Sequence, residues 1–193
     1  MVFTAVGPTV KPITCSGCIL NDPALSPDVL IAPFGTGSNG VQLVGMAPAK
    51  NEIERGEPFV GRAGAVLGKV LRKIGYKNEF DIRNVLQCRP PSDQWTGKEE
   101  WAVPAIAHCK VHRESGVRPK VRVALGEIAF RTLTGLIVPI SKARGYRFEG
   151  EDGVPIIPTY HPSFLGRGKM ELIPVMIWDF KRALEERDQP PPE

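Results

Sequence analysis

The sequence predicts an α/β fold, a three-layer α/β/α sandwich with a central, mostly parallel four-stranded sheet. Short apolar runs alternate with amphipathic stretches, and small, polar or proline residues follow the runs. Such runs are typical of strands buried on both faces, and their alternation with helices favours a parallel sheet. The predicted strands span residues 41–44, 82–86, 121–125 and 154–158.

Amphipathic stretches between these runs predict the helices that cover the sheet. In the first of them Val66, Val70 and Ile74 recur at helical spacing, with basic residues on the opposite face. In the second, Pro104 is expected to delay the start of the helix or to kink it. The predicted helices span residues 62–74, 98–113, 126–134 and 170–186.

Length and composition indicate one domain, over residues 1–187, followed by a disordered tail at 188–193. The chain has 193 residues, enough for a single hydrophobic core. No apolar run reaches the ~18 residues of a membrane span, and the start of the chain lacks the pattern of a secretory signal. We therefore expect a cytoplasmic protein without a membrane partner. A net charge of +4 permits an anionic partner.

The four cysteines allow more than one interpretation. Cys15 and Cys18 form a CSGC motif in an irregular arm, whereas Cys88 and Cys109 stand alone far downstream. A reducing compartment disfavours disulfides. Four thiolates can hold zinc or an iron–sulfur cluster, and a metal would tie the arm down. Alternatively, Cys88 and Cys109 are small buried apolar residues. Spacing alone leaves these readings open.

The residues that follow three predicted strands point to one shared ligand site. The segment VGMAPAKNEIERGEPFVGRAG begins where the first strand ends, and its small residues would let a ligand approach the backbone. Within it, Phe59 offers a flat ring to a planar ligand. Asn84 and His161 lie at the ends of two other strands. Ligands of such sheets bind at the carboxyl ends of the strands.

Several blocks of this sequence resemble family 4 uracil-DNA glycosylases, the iron–sulfur branch of the uracil-DNA glycosylase superfamily. The first block reads GMAPA, then Glu52, then GEPFVGRAG; the second reads NVLQCRPP from Asn84; the third reads HPSFLGR from His161. The four cysteines follow the family's order, and the resemblance covers about residues 12–185.

The resemblance implies the uracil-DNA glycosylase fold and a monofunctional hydrolase of base excision repair. Such an enzyme flips uracil, or a related base, out of DNA and hydrolyses its N-glycosidic bond, leaving an abasic site. No lysine occupies a motif position suited to Schiff-base chemistry. The implied ligands of a [4Fe–4S] cluster are Cys15, Cys18, Cys88 and Cys109, with zinc as the alternative. The expected partner is DNA containing uracil or a related base, bound by a monomer.

The resemblance also assigns roles to single residues. Phe59 would stack on the flipped base, and the Asn84 amide would match its O4 and N3–H edge. His161 would donate a hydrogen bond to O2, where negative charge develops as the bond breaks. Glu52 would position water or the sugar. Asn84 and His161 are thus expected to act in catalysis as well as in binding.

Met46 is the main departure from the family, which has glutamate at this position. Related single-strand-selective glycosylases have methionine and family 5 enzymes have leucine there, and Ala49 also matches family 5. The backbone of Met46 and Ala47 is expected to orient water, but the methionine leaves the identity of the base open. The alternative is a catalytically weak or inactive module that binds DNA or uracil; a redox-sensing iron–sulfur protein is a third hypothesis. Asp93 lies near the position at which the family has an asparagine, after the two prolines of the second block.

A DNA-binding rim is expected around this site. Basic side chains there would neutralise phosphates, and the apolar pair Phe164 and Leu165 would enter the base stack as a wedge or, alternatively, anchor the last helix in the core. The residues expected to contact DNA are Arg62, Arg89, Ser163, Phe164, Leu165 and Arg167, with Lys50 and Lys169 nearby.

Overall fold

The computed structural model describes residues 7–76, 79–93, 95–114 and 116–190. The chain begins with an antiparallel pair, β1 (Thr9–Val10) and β2 (Val29–Leu30). Part of the predicted disordered tail, residues 191–193, lies outside the described residues. In the described parts of the chain, no helix is both long enough and apolar enough to cross a membrane.

A five-stranded sheet forms the centre of the fold. Four of its strands are parallel neighbours, which confirms the four predicted strands, and the short β6 pairs antiparallel with β7 at one edge. The strand order is β4-β3-β5-β7-β6. The strands are β3 (Val41–Gly45), β4 (Asp81–Asn84), β5 (Val121–Leu125), β6 (Phe148–Glu149) and β7 (Pro155–Thr159).

The helices confirm the predicted alternation, with several differences. The helix predicted over 98–113 begins later and is divided at Cys109, and Pro104 lies in the first turn of its first part, where a missing N–H is tolerated. Short helices also lie inside the loop after β3, between β5 and β7, and directly after β7, where we predicted none. The helices are α1 (Lys50–Arg55), α2 (Gly61–Lys73), α3 (Ala102–His108), α4 (Lys110–Arg113), α5 (Glu127–Thr134), α6 (Ile140–Ala143), α7 (Pro162–Leu165) and α8 (Ile173–Arg187).

Two apolar clusters on opposite faces of the sheet give the fold its three layers. On one face Leu43 of β3 packs in a cluster with residues of α2 and α8, among them Val70 and Phe180. On the other face Val44 packs in a cluster with Phe130 of α5 and with the cysteines at positions 88 and 109. Neighbouring residues of β3 thus point to different layers, as the pleat of a strand requires.

A buried ion pair fixes the strand end that leads to His161. Asp179 of α8 is 0% exposed. Its carboxylate accepts hydrogen bonds from Arg144 Nε at 2.9 Å and from Thr159 Oγ1 at 2.6 Å, and Arg144 Nη2 also donates to it. Burial raises the pKa of Asp179, while Arg144 and Thr159 oppose that rise. Because Thr159 ends β7, this pair ties α8 to the start of the His161 segment.

The substitution Asp179→Ala should strongly destabilise the fold. It would leave the partly buried Arg144 and the Thr159 hydroxyl without their acceptor, and breaking a buried pair in this way costs about 3–5 kcal/mol. The matched control is Glu185→Ala, which removes an exposed pair with Arg182 on the same helix and should cost about 0–1 kcal/mol. Urea unfolding measures both free energies. Equal losses in the two variants would contradict the role of Asp179.

Candidate active site

One cavity of about 250 Å³ lies at the carboxyl ends of β3, β4 and β7. It brings together most of the residues that the sequence assigned to a shared site, although they lie far apart along the chain. Its lining includes Met46, Ala47, Glu52, Phe59, Asn84, His161, Ser163 and Arg167. The geometry therefore offers a ring, an amide, an imidazole and a carboxylate to a single ligand.

The ring of Phe59 is held in place by an unusual backbone conformation. Phe59 has a φ of 54°, in the left-handed region that side chains other than glycine rarely adopt. Two glycines make room for it: a Cβ atom added at Gly64 would lie 1.4 Å from the Phe59 carbonyl oxygen, and one added at Gly45 would lie 2.6 Å from Phe59 Cζ. The ring centroid is 6.1 Å from that of His161. The motif glycines thus shape the stacking wall.

Asn84 brings an unpaired amide to the same cavity. The residue ends β4 and is only 3% exposed. Its backbone carbonyl accepts a hydrogen bond from Gln87 Nε2 at 2.7 Å, but no other described residue hydrogen-bonds its side-chain amide. A Cβ atom added at Gly45 would lie 2.4 Å from Asn84 Oδ1, so the amide also depends on that glycine. An amide of this kind can accept and donate to a planar ligand.

His161 is neutral, and its proton position follows from its neighbours. Its Nδ1 accepts a hydrogen bond from the backbone N–H of Ser163 at 3.2 Å, and Ser163 Oγ lies 2.8 Å from the same nitrogen. Burial and the charge of Arg167 lower the pKa of His161 to about 4. Because Nδ1 is an acceptor in a neutral ring, the proton resides on Nε2. The ring therefore offers an N–H donor without a positive charge.

Two carboxylates lie in the cavity wall. Glu52 Oε2 accepts a hydrogen bond from the N–H of Ala49 at 3.2 Å, which helps to start α1 and explains a helix that we did not predict. Burial raises the pKa of Glu52, and the charge of Asp93 adds to the rise. Asp93 lines the cavity and accepts a hydrogen bond from Arg89 Nε at 2.8 Å. Arg89 is thus engaged by a neighbouring carboxylate.

Much of the remaining wall is apolar, and sequence reasoning missed part of it. Met46 lines the cavity with a side chain that cannot ionise, while its carbonyl accepts from the N–H of Leu86 at 3.1 Å. Trp95 also lines the cavity; it is 5% exposed and its ring lies 5.3 Å from that of Trp101. We assigned no role to Trp95 from the sequence, although a large aromatic residue in a polar segment indicates packing.

The predicted DNA-binding residues divide between the surface and the core. Arg62 and Arg167 are exposed, and Arg167 reaches the cavity. Phe164 is 37% exposed, with its ring 5.4 Å from that of Tyr160. Leu165 is 0% exposed and packs in the apolar cluster beneath α2 and α8. The structure corrects the assignment of Leu165 to the DNA surface: this side chain anchors α7 in the core.

The four cysteines line a second, small cavity between the N-terminal arm and the α3–α4 segment. None of them forms a disulfide. The cavity is bounded by Cys15, Cys18, Cys88 and Cys109. Burial raises the pKa of Cys109 to about 12 and also raises those of Cys15 and Cys88, with contributions from neighbouring thiols. Four thiols that line one cavity supply the donor type that a thiolate-bound metal centre requires.

The donors of that cavity are not packed around one point. Among the described residues, no three His, Cys, Asp or Glu side chains are grouped closely enough to hold a single metal ion. Residues of the two cavities are nevertheless close together in the sequence, because Cys88 lies four residues after Asn84 and precedes Arg89 and Asp93. Interactions that fix Cys88 therefore also fix the neighbouring lining residues Asn84 and Asp93 of the candidate active site.

Known DNA glycosylases are similar to most of this chain. A type-4 uracil-DNA glycosylase from Thermotoga maritima is 35% identical over 172 residues, which cover 88% of this chain and 87% of the relative. One from Archaeoglobus fulgidus is 36% identical over 139 residues, covering 67% and 69%. A type-5 enzyme from Pyrobaculum aerophilum is 28% identical over 150 residues, covering 69% and 65%. The sequence model of the uracil DNA glycosylase superfamily matches residues 33–186. This chain belongs to the uracil-DNA glycosylase superfamily.

Proposed function

We propose that this protein is a monofunctional DNA glycosylase of base excision repair, which hydrolyses the N-glycosidic bond of uracil or a related base in DNA. One observation carries the proposal: Phe59, Asn84 and His161 line the same cavity at the strand ends. The names of the relatives, type-4 uracil-DNA glycosylases, support it. The described lining of this cavity contains no lysine that could form a Schiff base, which favours hydrolysis without strand cleavage.

Base recognition follows from the geometry of two side chains. A base within a duplex is out of reach, so the enzyme must extrude it into the cavity. There the Phe59 ring stacks on the face of the base. The amide of Asn84 has no other described partner, so it can accept from N3–H and donate to O4 of uracil. Cytosine presents the opposite pattern of donor and acceptor at this edge, so an amide held in the orientation that suits uracil would disfavour cytosine.

Bond cleavage is assisted by His161. As the bond between C1′ of the sugar and N1 of the base breaks, its electron pair moves onto the base and negative charge builds up on O2. The Nε2–H of the neutral His161 ring donates a hydrogen bond to that oxygen and lowers the energy of the transition state. The backbone hydrogen bond from Ser163 at 3.2 Å fixes the ring in the tautomer that this step needs.

Water completes the reaction at C1′. The oxygen of a water molecule forms the new bond to C1′, one of its protons is released, and the departing base takes up a proton from solvent. Glu52 lines the cavity beside the backbone of Met46 and Ala47, and these groups would hold the water. Glu52 also accepts from the N–H of Ala49, so it is a positioned group rather than a free surface carboxylate.

The cysteine cavity would hold a [4Fe–4S] cluster through Cys15, Cys18, Cys88 and Cys109, with zinc as the alternative. When bound, such a centre supplies thiolate–metal bonds that link the N-terminal arm to the segment between Cys88 and Cys109. That segment contributes Pro90, Asp93 and Trp95 to the active-site wall. The cysteines therefore act structurally, by fixing one side of the pocket. Iron and sulfide analysis of the purified protein separates the two metals.

DNA would be held by the exposed rim of the cavity. Arg62 and Arg167 are exposed cations that can neutralise phosphates. Ser163 lines the cavity together with His161 and Arg167. Phe164 is the side chain best placed to enter the base stack, because it is partly exposed whereas Leu165 is buried. The guanidinium of Arg89 is paired with Asp93. A phosphate contact by Arg89 would require this ion pair to break.

A second candidate function is a module that binds DNA or uracil without excising the base. Met46 favours it, because a thioether replaces the carboxylate that the family has at this wall and can neither activate water nor polarise it. The two functions differ in one observable. Only the enzyme converts an oligonucleotide containing uracil into one with an abasic site, which alkali then cleaves.

The substitution His161→Ala should lower the single-turnover rate of uracil excision by about 10²–10³ while DNA affinity changes little. It removes a donor to the leaving base but leaves the exposed arginines in place. Rapid-quench excision assays and fluorescence anisotropy with the same labelled oligonucleotide measure the two quantities. An unchanged excision rate in this variant would remove His161 from the mechanism, and a wild type without any excision would favour the binding module.

The imidazole of His161 should remain neutral across the pH range of the assay. Its pKa is lowered from 6.5 to about 4, so the ring gains its charge only as pH falls towards 4, and the Nε2–H donor is present at every higher pH. We expect no change in excision rate near pH 6.5 from this residue. Nitrogen NMR of the imidazole, assigned with His161→Gln, should give a titration midpoint well below 6. A midpoint near 6.5 would contradict the buried neutral donor.

A further inference from the structure

Two histidines border the cysteine cavity, and neither has a part in the proposed reaction. His108 and His112 lie four residues apart on α3 and α4, and both line the cavity. A spacing of four residues places two side chains on the same side of a helix. Here both side chains turn towards the CSGC arm, and they make different contacts with it.

His112 contacts a cysteine sulfur. Its Nε2 atom lies 3.5 Å from the Sγ atom of Cys15 and 3.4 Å from Oγ1 of Thr14. A cysteine that binds metal is a thiolate, which has no proton to donate and can only accept. In the loaded protein this contact is favourable when Nε2 carries the proton, and it is then an N–H···S hydrogen bond.

His108 contacts the same arm through the backbone instead. Its Nε2 atom lies 2.8 Å from the carbonyl oxygen of Thr14. A carbonyl can only accept, so this ring also donates, but no sulfur takes part in the bond. The two histidines thus fasten the arm at adjacent residues, and only His112 donates to an atom that would bind the metal.

A hydrogen bond to a cluster sulfur has a known electronic consequence. It withdraws electron density from the thiolate and stabilises the reduced cluster, which carries one more negative charge. Lys11 also borders the cavity, but it is unchanged in every variant of the test. The contribution of His112 can therefore be isolated by replacing that residue alone.

We propose that His112 is a positioning residue of the cysteine-bound cluster, whose Nε2–H donates to the sulfur of Cys15 and raises the reduction potential of the cluster. This inference rests on the proposed [4Fe–4S] cluster. His108 serves as its internal comparison, since it holds the arm without contacting sulfur.

The test compares His112→Leu, His112→Gln and His108→Leu with the wild type by potentiometric titration followed by electron paramagnetic resonance. His112→Leu should shift the potential to a more negative value, and His112→Gln, which keeps an N–H donor, should recover part of that shift. His108→Leu should leave the potential unchanged. Both leucine variants should lose the cluster several-fold faster in air, because each releases the arm.

The outcomes separate two questions: whether the protein holds an iron–sulfur cluster, and whether His112 raises its reduction potential. A wild type with zinc, or without iron and sulfide, overturns the cluster itself and with it the basis of this inference. A loaded His112→Leu with the wild-type potential, or equal shifts in the two leucine variants, overturns the role of His112 alone. If His112→Leu assembles no cluster, wild-type protein labelled with nitrogen-15 histidine decides: a weak nitrogen coupling to the reduced cluster supports the hydrogen bond, and its absence overturns it.

Discussion

The site depends on the close approach of Phe59 and Asn84 to the backbone of β3. Both side chains occupy space that a Cβ atom at Gly45 would fill, at 2.6 Å from the ring and 2.4 Å from the amide oxygen. Phe59 also adopts a left-handed backbone conformation, which stores strain of about 1–3 kcal/mol. Gly64 permits that conformation, because its missing side chain admits the Phe59 carbonyl. The stacking wall and the hydrogen-bonding edge are thus fixed by the same constraint.

The other groups of the site are held by anchors on both sides of the sheet. On one side the buried Asp179 binds Thr159 at the end of β7, just before His161. On the other side Cys88 lies four residues beyond Asn84 and faces the cavity of the four cysteines. A catalytic donor displaced by 1 Å can cost about 10²-fold in rate. Residues outside the pocket, such as Asp179 and Cys88, can therefore affect the reaction rate by positioning residues inside it.

Much of this arrangement could be predicted from the sequence, because buried parallel strands leave apolar runs and end at one edge of the sheet. Phe59, Asn84 and His161 were assigned to that edge and line one cavity. The two-residue strand β6 is too short to leave a pattern. The burial of Leu165 depends on the packing of α7, which adjacent sequence cannot reveal. Trp95 reaches the cavity by a fold of its loop, so only the structure could assign it.

In the proposed reaction Met46 would affect which base is removed, whereas the close approach at Gly45 would affect whether any base is held at all. The most direct measurement is the single-turnover excision rate of Gly45→Ala beside Gly68→Ala, which adds the same methyl group within α2 near only the flexible end of Arg72. We predict that excision falls by about 10²-fold or more in Gly45→Ala and remains near the wild-type rate in Gly68→Ala. Wild-type excision by a folded Gly45→Ala would contradict the account.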